Sequence, residues 1–65
     1  MRGLLQRLPE RQRAVIVLRY FDDLTEKQTA EVLGIRVGTV KAHAHAALVS
    51  LRRWAPEVEG VVHRA

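Results

Sequence analysis

The chain has 65 residues, no cysteine, and 11 Lys+Arg against 7 Asp+Glu, a formal net charge of +4. That length excludes more than one small domain and a large active-site cavity, and the lack of cysteine excludes disulfides, thiolate metal sites and a cysteine nucleophile. A hydrophobic share of 48% excludes a disordered tail, and the basic balance points to a polyanionic partner, nucleic acid first.

The opening residues, Met1 to Arg7, lack the apolar stretch of a signal peptide, and no apolar run approaches the ~18 residues of a membrane span. A cytoplasmic protein without a membrane partner is the expectation. Residues 3–7 read as a short helix or the end of a longer one. The next helix is expected over 9–21. Pro9 suits the first helical position, where its missing N–H would be unpaired anyway, and Glu10 suits the positive end of the helix dipole. Ala14, Val17, Leu18 and Phe21 recur at three- and four-residue steps and are expected to form the inward stripe. Arg11, Arg13 and Arg19 are left for the surface, and Asp22-Asp23 breaks the pattern.

Thr25-Glu26-Lys27-Gln28 has the spacing of a capping box, in which the Thr25 hydroxyl and the Gln28 side chain satisfy each other's backbone N–H groups. It opens a short helix, 26–33, with Thr29, Ala30 and Leu33 inward. Gly34 closes that helix, since glycine takes the left-handed conformation freely, and Ile35-Arg36 forms the turn. A long helix follows over 37–55, stopped by Pro56. Its inward stripe is Val37, Val40, Ala44, Ala47, Leu48, Leu51 and Ala55, with Leu48 set to face Leu18 across the core. The opposite face carries Gly38, Lys41, Ala42, His45, Val49 and Arg52. The tail 56–65 has no clear period, although Val58, Val61 and Val62 could extend a short helix or dock weakly. With no strand alternation and no repeat, the expected fold class is all-α, a small domain of three or four helices with a helix-turn-helix and no wing.

A short capped helix, a glycine turn and a long helix suit a duplex, the second helix entering the major groove. From Arg36 to Arg53 the chain carries Arg36, Lys41, Arg52 and Arg53 and no acid. Lys41, Ala42 and His45 are the candidate base-reading residues. Lys41 suits guanine acceptors, Ala42 leaves room for close approach, and His45 lies one turn on. Arg36, Gly38, Thr39, Arg52 and Arg53 are the candidate phosphate-binding residues, at the two ends of the helix. Each also has a plain structural reading. The arginines and Lys41 could be a solvated face, Gly38 an early-helix glycine, Thr39 a hydroxyl serving free N–H groups, and Trp54 a lid on the end of the core.

His43 and His45 are two apart on a helix and point in different directions, so they cannot share a metal ion. No metal and no cofactor are expected. Glu10, Asp22 and Asp23 lie on a helix start and a loop with no nucleophile beside them, so no enzymatic activity is expected.

Leu8-Pro9-Glu10-Arg11-Gln12-Arg13-Ala14-Val15, Leu18-Arg19-Tyr20-Phe21 and Asp23-Leu24-Thr25, followed by Thr29-Ala30-Glu31-Val32-Leu33-Gly34, Val37-Gly38-Thr39-Val40-Lys41, Ala47-Leu48 and Leu51-Arg52, resemble region 4 of bacterial sigma factors. The extracytoplasmic-function (ECF) group matches best, over about residues 4–53. The resemblance implies a four-helix domain that binds the −35 promoter element on double-stranded DNA and docks on RNA polymerase, at the flap of its β subunit. It also implies an anti-sigma protein as a further partner, and a domain excised from a longer factor, with residues 1–65 forming one unit. Arg36 stands where the family usually has a small capping residue, and Gln28 where Glu is frequent. Ala42 and Ala46 replace residues that commonly touch DNA, and His45 occupies another recognition position. Either the site is read through shape and methyl contacts, or DNA binding is weak and protein contacts matter more. Thr39-Val40-Lys41-Ala42-His43 also resembles the recognition helix of LuxR-type effector domains. An interaction module that docks on a protein without productive DNA contact is the alternative of a different class.

Overall fold

The computed structural model describes residues 2–54. They form helix α1 (Arg2–Leu5), helix α2 (Glu10–Ile16) continued by a π-helical turn (Val17–Phe21), helix α3 (Glu26–Leu33) and helix α4 (Val37–Trp54). No strand occurs among the described residues, and the fold is all-α. The expected stop at Pro56, position 55 and the tail with Val58, Val61 and Val62 lie outside the described residues.

The spine is α4, which packs mainly on α2 and α3 and touches α1 near its end. Its predicted inward stripe holds at Val40, Ala47 and Leu51, which are buried, and at Ala44 and Leu48, which are partly so. Val37 departs from it and is exposed, outside both core clusters. The stripe divides the core in two. Val40 joins Val15 and Ala30 in one cluster, flanked by Leu33, Ile35 and Ala44. Ala47 and Leu51 join Leu5, Leu8 and Ile16 in the other, flanked by Leu4, Leu48 and Trp54. Trp54 thus covers one end of the core, and the Arg7 guanidinium lies 4.2 Å over its ring.

Three expectations need correction. The first helix is Arg2–Leu5 rather than 3–7, and tight turns follow it, with Arg7 N–H donating to Leu4 O (3.0 Å) and Leu8 N–H to Leu5 O (3.1 Å). Pro9 pushes Leu8 out of the helical region, so the chain must leave the helix before it. Such a single turn is not stable alone; Leu4 and Leu5 hold it by packing on the core. Second, Pro9 is the N-cap of α2, with φ −54° and ψ 150°, and its carbonyl accepts the Arg13 N–H at 2.9 Å.

The third correction concerns the buried face of α2. Val15 and Ile16 are buried, whereas Ala14, Val17 and Leu18 are half-buried and Phe21 is 57% exposed. Consecutive helical residues point about 100° apart, so two adjacent positions serve two different neighbours. Val15 meets α3 and the start of α4, and Ile16 meets α1 and the end of α4. The Ala14–Val17–Leu18–Phe21 stripe turns away from both. Leu18 therefore does not face Leu48 across the core.

The π-helical turn closes α2. Asp22 N–H donates to Val17 O (3.0 Å) and Leu24 N–H to Leu18 O (2.9 Å), wider rings than an α-helix makes. Asp23 then takes φ 59°, a left-handed conformation that Asp tolerates better than most residues.

Candidate nucleic-acid interface

The α3–α4 unit begins with the expected capping box. Gln28 N–H donates to Thr25 Oγ1 at 3.0 Å, and Thr25 N–H donates to Gln28 Oε1 at 2.9 Å. It continues to Gly34, which closes α3 at φ 67°, ψ 36°. Gly34 N–H and Ile35 N–H (3.0 Å) both donate to Ala30 O, so the carbonyls at the end of α3 are drawn into the turn. Arg11 of α2 adds a side-chain donor to Leu33 O at 3.3 Å. The side chain of Ile35 packs on the Val15–Ala30–Val40 cluster, and one residue later Arg36 O accepts the Val40 N–H at 3.0 Å to start α4. The angle between α3 and α4 is thus held by a left-handed glycine, an arginine tether and an isoleucine anchor.

On α4 the two faces separate by exposure. Gly38, Lys41, Ala42, His45, Val49 and Arg52 are exposed, at steps of three and four residues that place them along one side of the helix. Arg53 is exposed beside Arg52, and Arg36 is exposed at the start of the helix. Thr39 is half-buried and lies off this face, as does His43. Every charged side chain from Arg36 to Arg53 is therefore basic, and all four reach solvent. Arg52 and Arg53 also complement the negative end of the helix dipole. Gly38 has open space around the position its Cβ would occupy, so nothing inside the chain demands its bareness.

The charged residues of α2 have structural roles that the sequence reading left at the surface. Besides the Arg11 tether, Arg13 donates to Gln6 O at 3.4 Å and Arg19 donates to Leu24 O. Each arginine satisfies a carbonyl at the end of a helix or just beyond one. The spacing of arginines on α2 beside three breaks in helical pattern is the signal that could have pointed to this.

A second feature was missed. Glu10, Arg13, Ala14, Val17, Leu18, Val32 and Leu33 line an open groove of about 420 Å³ between α2 and α3. Its walls are mostly apolar, and Val32 is 62% exposed. The clue was in the sequence: Ala14, Val15, Ile16, Val17 and Leu18 are apolar nearly all round a helix, more than one inward face requires. Among the described residues no group of three or more His, Cys, Asp or Glu is placed to hold a metal ion, and no helix is long and apolar enough to cross a membrane.

Comparison with known proteins bears on the whole unit. A family model described as Sigma-70, region 4 matches residues 1–51. The RNA polymerase sigma-E factor of Streptomyces avermitilis is 43% identical over 49 residues, 75% of this chain and 27% of that protein. The ECF RNA polymerase sigma factor SigW of Bacillus subtilis is 45% identical over 47 residues, 72% of this chain and 25% of that protein. The RNA polymerase sigma factor SigF of Mycobacterium tuberculosis is 57% identical over 35 residues, 54% of this chain and 13% of that protein. The chain spans about a quarter of the length of the first two.

Proposed function

We propose, since the chain belongs to the sigma-70 region 4 family and within it to the ECF kind, that it binds promoter DNA at the −35 element during transcription initiation. Residues 1–65 would act as one such domain, in the cytoplasm, where RNA polymerase works. The observation that carries this reading is the face of α4, exposed and free of acids, with Lys41, Ala42 and His45 between arginines at either end. In this reading α4 lies in the major groove. Lys41 and His45 approach base edges with Ala42 between them, and Arg36, Gly38, Thr39, Arg52 and Arg53 meet phosphates. Gly38 lets a phosphate come close to the backbone N–H groups at the start of α4, which have no partner within the helix.

The groove between α2 and α3 supports the second half of the reading, docking on the flap of the RNA polymerase β subunit. The groove is lined by the half-buried Val17 and Leu18 and the exposed Val32, apolar side chains outside both core clusters. An anti-sigma protein would compete for the same surface. The match to region 4 displaces the LuxR-type alternative. The interaction-module alternative keeps the groove and drops the DNA contact.

The test is binding of a fluorescent duplex carrying a −35-like element, against a scrambled duplex of equal composition. Preference for the first, with affinity falling steeply as salt rises, supports the DNA reading. Absence of binding to either duplex, even at low salt, supports the interaction module.

A further inference from the structure

The exposed face of α4 can be read as a chemical stencil for the bases it would meet, and this step rests on the DNA-binding reading above. From Arg36 to Arg53 no side chain is a carboxylate or an amide. Lys41 is donor-only, with three N–H groups and no acceptor. His45 is the one side chain on the exposed face between Gly38 and Val49 that has an acceptor nitrogen when neutral. Ala42 is exposed between these two and offers only a methyl group.

The major-groove edges of the bases sort against that stencil. Adenine presents an N7 acceptor beside its amino donor and cytosine an amino donor, and on this face only the acceptor nitrogen of a neutral His45 can receive from those amino groups. Guanine presents two acceptors, and thymine presents one acceptor and a C5-methyl group. A methyl side chain set against a polar edge removes water without returning a hydrogen bond. The thymine methyl is the one apolar group in the major groove that a side chain like Ala42 can cover without that penalty.

We propose that Ala42 is a specificity-determining residue that reads the C5-methyl of a thymine, next to a base-edge acceptor taken by Lys41.

The experiment uses the full chain and a duplex pool randomised over eight central positions. The most enriched duplex is resynthesised with each thymine in turn replaced by deoxyuridine, which removes the methyl group and nothing else. One replacement should weaken binding about fourfold, the value of one buried methyl-sized contact. Ala42→Ser, which keeps the helix, should abolish the sensitivity at that position and no other. Ala42→Gly should do the same wherever far-UV circular dichroism shows it folded. Enrichment of a sequence that is indifferent to every deoxyuridine replacement overturns the proposal, and so does sensitivity that persists in Ala42→Ser. If no sequence is enriched over the starting pool, the DNA-binding reading fails and the proposal fails with it.

Discussion

Thr29 is fully buried in α3, yet its hydroxyl oxygen has no hydrogen-bond partner. A buried polar group left unpaired costs about 1–3 kcal/mol. Valine has the same branched shape and similar helix propensity, so Thr29→Val should stabilise the chain by about 1 kcal/mol. In a domain of this size that corresponds to a rise of roughly 4–8 °C in Tm. A fall in Tm by thermal circular dichroism would mean that the hydroxyl does have a partner in solution. The two glycines of the helix-turn-helix differ in the opposite way. Neither meets any atom at its Cβ position, but Gly34 has φ 67°. Gly34→Ala should therefore destabilise by about 1 kcal/mol or more through backbone strain alone. Gly38→Ala, in a helical turn with open space, should stabilise by roughly 0.5–1 kcal/mol. If Gly38 serves close approach to phosphate, that same variant will bind a −35-like duplex more weakly while melting higher, and a variant that melts higher and binds unchanged would remove Gly38 from the interface.

At the scale of elements, α2 is where inference from pattern failed. Leu51 of α4 is 2% exposed in the second core cluster, so Leu51→Ala should lose about 2–5 kcal/mol, enough to unfold a domain this small. Leu18→Ala, on the open groove, should lose far less, and the two melting curves compared directly test which face of α2 is inward. The capping box at Thr25, the left-handed Gly34 and the α4 stripe were legible because each rests on local chemistry: a hydroxyl three residues from its N–H partner, a missing Cβ, a 3.6-residue period. The α2 face was not, because seven of the eight residues from Ala14 to Phe21 are hydrophobic, all but Arg19, and the period alone cannot say which of them meet other helices. That depends on where α1 and α4 sit, which is a tertiary fact. The Arg11 tether to Leu33 was hidden for the same reason, since it joins two helices, whereas the Arg13 and Arg19 tethers and the wide turn at Val17–Phe21 are local and were marked only by the arginines beside the helix breaks.

For the whole molecule, the division of charge and apolar surface gives the decisive prediction. Lys41, Arg52 and His43 sit on one helix but in three environments: Lys41 exposed at the middle of the presented face, Arg52 exposed at its end, His43 half-buried to the side. If α4 lies in the major groove, these positions meet base edges, phosphates and neither. Lys41→Ala should cost about 1–3 kcal/mol on a −35-like duplex and much less on a scrambled one, narrowing the preference between them. Arg52→Ala should weaken both duplexes alike and lower the slope of log affinity against log salt by about one unit, since one fewer phosphate releases its counterion. His43→Ala should leave affinity and slope within error. The comparison is made at several salt concentrations with all three variants confirmed as folded, so a loss of structure cannot imitate a loss of contact. His43→Ala proving as damaging as Lys41→Ala would mean that the helix is rotated against the duplex, with the Thr39–His43 side presented. All three variants binding like the parent would move the function of this domain from α4 to the apolar groove between α2 and α3.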